Sequence, residues 1–209
     1  MAWPPEQCLV LDVKEAKSLP KANDYAGVVI TGSHDMVTER SDWMLRAAEW
    51  LREAVQDSVP ILGICFGHQL LAAALGGEVG DNPKGAEFGL ADIRKTEQAE
   101  DDPLLKDVPA HFRALVSHFQ TVIKLPPDAV PLAYSEKDAH QCFRYGRNAW
   151  GVQFHPEMDC DIMKVYLQKN REKISDWEEV VKRISIECHA QPESTRILKT
   201  FREIVLSGR

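Results

Sequence analysis

Three short apolar runs stand out in the first third of the chain, at 8–13, 26–32 and 60–65. Each run is nearly continuous and rich in β-branched residues, which is typical of strands buried on both faces. Between the last two runs, apolar residues recur at helical spacing over 42–55, behind Ser41 as a candidate N-cap. This part of the chain is therefore predicted to contain a strand, a helix and a strand in succession.

The apolar pattern changes twice more along the chain. A helix is predicted after residue 65, ending at Gly76-Gly77, and helical periodicity returns from Asp159 onward. Between them the sequence predicts five further strands, the last two joined by a turn at 146–148: 88–96, 112–118, 130–136, 141–146 and 149–157. The predicted fold is therefore α/β and flavodoxin-like, with a mostly parallel central sheet flanked by helices and an added antiparallel portion.

Composition narrows the classes of protein that fit this pattern. The 209 residues are 44% hydrophobic and 27% charged, which predicts a single domain over 1–209. Since no apolar run approaches the roughly 20 residues of a membrane helix and the N-terminus lacks a secretory pattern, we expect a cytoplasmic protein without membrane partners. The net charge of −7, with no basic block, argues against nucleic acid as a partner.

The five cysteines are odd in number and include no Cys-x-x-Cys pair. This pattern predicts neither a disulfide framework nor a structural zinc site, and it favours a reducing compartment. Cys8 and Cys142 lie in apolar or alternating stretches and are expected to be small buried hydrophobes. No His or acidic cluster has metal-ligand spacing, so no metal and no cofactor are expected.

Cys65 differs from the other cysteines because Gly63 and Gly67 flank it where a buried strand meets a helix. A sharp strand-to-helix turn holds its apex residue in a strained conformation and pushes the side chain above the sheet. The positive end of the following helix favours the thiolate, and its first N–H groups can receive an oxyanion. A structural cysteine in a glycine-rich turn is the alternative interpretation.

His155 and Glu157 are two residues apart at the end of the last predicted strand. In an extended chain this spacing puts both side chains on one face, where the carboxylate can orient the imidazole. An imidazole held in this way can accept a thiol proton and deliver it to a leaving amine. An exposed turn at His-Pro-Glu is the alternative interpretation.

The two patterns together resemble the class I, or triad-type, glutamine amidotransferases. That family is marked by a Gly-x-Cys-x-Gly-x-Gln elbow and a later His-Pro-Glu, which are GICFGHQ and FHPE here. The resemblance runs from about Val10 to Leu167 and is strongest for free-standing, GMP-synthase-like domains, which include γ-glutamyl peptidases. It implies that Cys65 attacks the side-chain amide of glutamine, that His155 acts as acid and base, and that Glu157 orients the His155 imidazole.

The resemblance also implies weaker assignments for the rest of the site. The oxyanion would meet the backbone N–H groups of Phe66 and of Gly32 or Ser33. The family positions near bound glutamine are Gln69, Ser117, His118 and Glu87. His118 and His68 can instead be ordinary polar residues, and Glu87 a solvated loop carboxylate.

The sequence departs from the family pattern at two places. Only a few residues precede 8–13, so the first strand-helix unit of the family is expected to be missing or reduced. This would leave apolar surface or a strand edge for another copy of the chain to cover, as in a homo-oligomer. The second departure is TGSHD at 31–35, where many biosynthetic members have Gly-Gly-Pro.

Three functions follow from these observations. The first is hydrolysis of the γ-amide of glutamine, with ammonia passed to a partner synthase subunit. The second is a γ-glutamyl peptidase or hydrolase that acts on γ-glutamyl amides without an acceptor. The third is a non-catalytic binding or regulatory relative that keeps the fold.

Overall fold

The computed structural model describes residues 4–189 and 192–208. Within these ranges the chain forms five α-helices: α1 (Asp42–Gln56), α2 (Phe66–Ala74), α3 (Cys160–Lys169), α4 (Trp177–Glu187) and α5 (Pro192–Ser207). The same ranges contain nine strands: β1 (Val28–Ile30), β2 (Ile61–Ile64), β3 (Glu78–Asp81), β4 (Glu87–Lys95), β5 (His111–His118), β6 (Gln120–Lys124), β7 (Val130–Tyr134), β8 (Cys142–Tyr145) and β9 (Ala149–Val152).

Seven of the strands form one mixed sheet in the order β1-β2-β9-β8-β7-β4-β5. Strands β1, β2 and β9 are parallel neighbours, and each remaining neighbour pair is antiparallel. Strands β3 and β6 form a separate antiparallel pair. The predicted α/β class and the added antiparallel portion are therefore confirmed, with the parallel pairing confined to three strands at one end of the sheet.

The helices follow the apolar pattern of the sequence. Helix α1 begins directly after Ser41 and buries Met44, Ala47, Leu51 and Ala54 in a cluster that includes residues of α2. Helix α2 is almost wholly buried, and the chain leaves it through Gly76, whose φ of +92° is the left-handed conformation predicted for a helix end.

The first predicted strand is wrong. Residues 8–13 form no strand, and Leu9 and Val10 are 58% and 91% exposed. The reason is local, because the Asp12 carboxylate accepts a hydrogen bond from the N–H of Lys14 at 2.9 Å. Such a side-chain turn competes with extended pairing.

The antiparallel end of the sheet curls back over the parallel end. The N–H of His155 donates to the carbonyl of Leu115 in β5 at 2.8 Å, and the Phe112 and Phe154 rings meet edge to face at 5.6 Å. Strand β5, at the far edge of the sheet, therefore lies beside the residues that follow β9.

Candidate active site

The carboxyl ends of the three parallel strands β1, β2 and β9 lead to Gly32, Cys65 and His155. Parallel neighbours end at the same edge of a sheet, which brings these residues together. A Cβ placed on Gly32 would lie 3.3 Å from Cε1 of His155 and 3.8 Å from Cβ of Cys65. The predicted nucleophile, the predicted base and the predicted oxyanion loop therefore share one site.

Cys65 occupies the strained turn that the Gly-x-Cys-x-Gly pattern predicts. Its φ is +51° and its ψ −103°, and its N–H donates to the carbonyl of Val152 at 2.9 Å. The flanking glycines are required by close backbone approach. A Cβ on Gly63 would lie 2.4 Å from the carbonyl oxygen of Gly67, and one on Gly67 would lie 2.3 Å from that of Ile30.

His155 and Glu157 are paired, although the predicted backbone around them is wrong. Nδ1 of His155 donates to Oε1 of Glu157 at 2.7 Å, so the carboxylate orients the ring as expected. Strand β9 ends at Val152, however, and the pair lies in a turn in which the N–H of Met158 donates to the carbonyl of His155 at 3.4 Å. Beyond Val152 the N–H of His155 donates to Leu115 of β5, and Pro156 has no N–H, so the residues around the pair do not continue the β2–β9 ladder.

The thiol and the imidazole favour each other's charged forms. Burial by itself raises the pKa of the Cys65 thiol, but the charge and close approach of His155, together with the charge of His118, outweigh burial, and the pKa falls below its ordinary value. Burial by itself lowers the pKa of His155, whereas Cys65 and then Glu157 raise it, to about 10. Nε2 of His155 is buried and, among the described residues, has no hydrogen-bond partner of conventional geometry. That nitrogen is therefore available to a reacting group.

The residues predicted to receive an oxyanion lie on both sides of the thiol. Phe66 begins α2, so its N–H is at the positive end of that helix. On the other side, the Ser33 hydroxyl donates to the carboxylate of Asp35, which also pairs with Lys14. Hydrogen bonds and an ion pair thus hold the loop that carries Ser33 and Gly32.

Glu87 and His118 form a buried pair beside the thiol. Glu87 is 7% exposed at the start of β4, and its carboxylate accepts from Nε2 of His118 at 3.0 Å, Ser135 at 2.9 Å and Gln141 at 2.7 Å. The alternative of a solvated loop carboxylate is therefore wrong. Nδ1 of His118 faces the carbonyl of Gln120 at 2.9 Å, so both ring nitrogens face acceptors.

Two acceptors require both nitrogens of His118 to carry protons. Burial by itself lowers the pKa of His118, but Glu87, Asp138 and Cys65 together raise it above its ordinary value. The ring therefore adds positive charge beside Cys65, which lowers the pKa of the thiol further.

Ser117, Gln69 and His68 are also placed around the elbow. The carbonyl of Ser117 accepts a long hydrogen bond from the Cys65 thiol at 3.8 Å. The amide nitrogen of Gln69 is committed to the protein interior, donating to the carbonyl of Gln120 at 2.7 Å and to Gln153 at 2.9 Å. His68 is fully buried against Phe143, and burial lowers its pKa to about 4, so it is a neutral packing residue.

The remaining cysteines only partly follow the sequence prediction. Cys142 is buried as expected, but Cys8 is exposed. Cys160 and Cys188 are joined by a disulfide, with their Cα atoms 5.9 Å apart, so the prediction that no disulfide forms is wrong. The two residues are 28 apart in sequence and become neighbours only because α3 and α4 pack together.

Neither a metal-ion site nor a membrane-spanning helix is found among the described residues. In the part of the chain that the structure describes, no group of three or more His, Cys, Asp or Glu side chains is placed to hold a metal ion. Among the helices within residues 4–189 and 192–208, none combines the length and apolar character that crossing a bilayer requires.

Comparison with known sequences identifies a family whose pattern this chain matches. The model of the family "Glutamine amidotransferase class-I" matches residues 7–172. Gamma-glutamyl peptidase 4 of Arabidopsis thaliana is 35% identical over 151 residues, which are 71% of this chain and 59% of that protein. A glutamine-hydrolyzing GMP synthase subunit of Ignicoccus hospitalis is 44% identical over 100 residues, which are 47% of this chain and 51% of that protein. The chain thus spans a little over half the length of each relative.

Comparison with solved structures agrees with the sequence match. A glutamine amidotransferase of Thermotoga maritima has the same fold, with a TM-score of 0.73 at 23% identity over 92% of this chain and 83% of that one. A glutamine amido transferase of Methylobacillus flagellatus gives a TM-score of 0.71 at 28% identity over 93% of this chain and 79% of that one. With the elbow and the His-Glu pair in place, this chain belongs to the class I glutamine amidotransferase family.

Proposed function

We propose that this protein is a cysteine amidohydrolase that hydrolyses the γ-amide of glutamine and of related γ-glutamyl compounds. The observation that carries the proposal is the strained elbow at Cys65, with a carboxylate-held imidazole beside it. The combination of a lowered thiol pKa and a raised imidazole pKa supplies a nucleophile and an acid in the same resting state.

The reaction then has two halves. The Cys65 thiolate attacks the amide carbon, and the oxyanion that forms accepts hydrogen bonds from the N–H groups of Phe66 and of the loop at Gly32 and Ser33. The carbon–nitrogen bond breaks as Nε2–H of His155 gives its proton to the leaving nitrogen, leaving a γ-glutamyl thioester. His155 then takes a proton from water as the water oxygen attacks the thioester, and collapse of the second oxyanion releases glutamate and the Cys65 thiolate beside a protonated His155.

The fate of the leaving nitrogen separates two versions of this function. Relatives named as subunits of GMP synthase support a glutaminase whose ammonia passes to a partner synthase. Relatives named gamma-glutamyl peptidase support hydrolysis of larger γ-glutamyl amides without an acceptor. Both versions use the same residues up to the departure of the nitrogen.

The test is glutamate release from glutamine and from a panel of γ-glutamyl dipeptides. The purified protein is compared with Cys65→Ala and with Cys8→Ala, a matched control because Cys8 is an exposed free cysteine outside the site. We expect turnover in the parent and in Cys8→Ala, and a loss of at least about a thousandfold in Cys65→Ala.

Labelling with a glutamine-like diazoketone gives a second measurement that does not depend on turnover. A mass shift at Cys65 is expected, and its loss after alanine substitution. Absence of both turnover and labelling would overturn the proposal in favour of a fold kept for binding.

A further inference from the structure

An aromatic contact joins the oxyanion loop to α3 at the mouth of the site. The ring of His34 stacks on that of Tyr166, with centroids 5.8 Å apart and an interplanar angle of 27°. His34 is exposed, two residues beyond Gly32, and Tyr166 is half-buried on α3. The proposed reaction assigns no role to this pair.

Helix α3 also presents apolar side chains to solvent next to Tyr166. Ile162 and Val165 are 42% and 54% exposed, and helical spacing places them on the same side as Tyr166. The other side of the helix is packed, with Met163 and Leu167 buried. Together with the Tyr166 ring, these two side chains give this side of α3 an apolar surface that an apolar group could contact.

The chemistry defines which part of a substrate would meet this surface. His155 must lie beside the leaving nitrogen to protonate it, so any group on that nitrogen extends from the His155 side of the site. A Cβ placed on Gly32 would lie 3.3 Å from Cε1 of His155, and the chain from Gly32 leads to His34. A substituent on the leaving nitrogen would therefore extend towards the His34–Tyr166 pair and lie over its exposed side.

The loop that carries His34 is held in place before any substrate binds. The next residue, Asp35, pairs with Lys14 and accepts from the Ser33 hydroxyl, while its own N–H donates to Ser33 at 3.2 Å. The Lys14 ammonium in turn lies 5.4 Å from the centre of the Trp43 ring. A pre-organised surface loses little entropy when it binds a ligand.

We infer that His34 and Tyr166, flanked by the apolar side of α3, form a subsite for the leaving amine. The preferred substrates are γ-glutamyl amides whose amine carries an aromatic or branched apolar group. This inference rests on the proposed function and specifies its substrate class.

The test compares kcat/KM for γ-glutamyl-phenylalanine and for glutamine in the parent, Tyr166→Ala and His34→Ala. Because glutamine has only hydrogens on its leaving nitrogen, it cannot reach the subsite and serves as an internal control. We expect each substitution to lower kcat/KM for the dipeptide by roughly tenfold and to change the value for glutamine by less than about twofold. Ile186→Ala, on α4 and 62% exposed, is the control for loss of an exposed apolar side chain elsewhere.

Equal losses for both substrates, or no loss for either, would overturn the subsite. Calorimetric binding to the Cys65→Ala protein, with and without Tyr166→Ala, repeats the comparison without turnover. If Tyr166→Ala weakens the binding of the dipeptide but not that of glutamine, the subsite is supported even when no hydrolysis is detected. Unchanged binding of the dipeptide overturns the subsite. This holds also if Tyr166→Ala weakens only the binding of a partner synthase, since α3 would then be a protein-docking face.

Discussion

At the scale of single residues, the backbone around Cys65 is under the tightest constraint in the site. A non-glycine residue at φ +51° is uncommon and costs roughly 1–3 kcal/mol. The surrounding chain holds it there through contacts that leave no space for side chains at Gly63 and Gly67.

Gly63→Ala tests that constraint. The added Cβ would lie 2.4 Å from the carbonyl oxygen of Gly67. Because the obstacle is backbone, we expect the free energy of unfolding to fall by about 3 kcal/mol or more, with loss of activity. Urea unfolding measures this, and Gly80→Ala is the control because its Cβ would make only an ordinary 3.5 Å contact with Ile123. Similar stabilities for the two variants would contradict a tight elbow.

The pH profile depends on Cys65 and His155, and the Glu157 carboxylate contributes to it by raising the pKa of His155. We expect kcat/KM to rise with pH as Cys65 loses its proton, below the ordinary thiol pKa, and to fall near pH 10 as His155 loses its own. Glu157→Gln removes a charge that raises the His155 pKa, so the falling limb should move to lower pH. The rate at the optimum should drop about a hundredfold.

The full pH profile of kcat/KM, with Glu178→Gln on α4 as the control, measures this effect. An unmoved alkaline limb in Glu157→Gln would show that the carboxylate does not act on the imidazole.

The residues that local sequence can predict are those whose neighbours in the chain create their environment. The glycines around Cys65 and the spacing of His155 and Glu157 are such cases. The partners of Glu87 are not, because His118, Ser135 and Gln141 come from separate parts of the chain and meet only in the folded sheet. The burial of Glu87 could therefore not be predicted from the sequence around it, which resembles a loop.

At the scale of elements, the disulfide between Cys160 and Cys188 ties the start of α3 to the end of α4. These helices cover β4, where a side chain on Gly89 would meet Val180 at 3.0 Å. The link thus connects the helix that follows His-Pro-Glu to the layer above the antiparallel strands.

Cys188→Ser should reduce the free energy of unfolding by about 3 kcal/mol under oxidising conditions, because the link encloses 28 residues of chain in the unfolded state. Dithiothreitol should reduce the parent's stability by a similar amount and leave the variant unchanged. Denaturant titration with and without reductant measures both effects, and Cys8→Ser is the matched control. A reductant effect of equal size in the variant would exclude the disulfide as the cause.

Strands were predicted correctly where an apolar run in the sequence also has a neighbouring strand to pair with in the sheet. Strands β2 and β9 pair along their whole length, and their patterns were predicted. The run at 8–13 is similarly apolar but pairs with no strand, and a turn at Asp12 bends it. Strands β3 and β6 were missed because β3 has a single apolar side chain, Val79, between acidic residues and a glycine, and the pair is defined only by cross-strand bonding.

At the scale of the whole molecule, α5 belongs to the same core as the parallel strands. The family match ends at residue 172, yet Ile197, Phe201 and Val205 are buried in a cluster with Trp150 of β9. The Phe201 and Trp150 rings meet edge to face at 6.4 Å. We therefore expect the chain to unfold as one unit.

Phe201→Ala should lower the free energy of unfolding by about 3–5 kcal/mol, since it leaves a cavity against Trp150. Leu206→Ala on the same helix, 43% exposed, should cost less than about 0.5 kcal/mol. Tryptophan fluorescence and far-ultraviolet circular dichroism should give coincident urea transitions for both. Separate transitions would show that α5 and its surroundings unfold independently of the rest.

The pairing of β2 with β9 has a consequence for the order of folding. Cys65 follows β2 and His155 follows β9, and the register of these strands pairs Ile64 with Val152, while most of the antiparallel strands lie in the intervening chain. A shift of one residue would displace the turn that carries His155, so the thiol gains its base only when this distant pairing is complete. Distant pairs form more slowly than adjacent ones. During refolding, catalytic activity should therefore return after the secondary structure of the β4–β5 pair, and its appearance would time the closure of the parallel sheet.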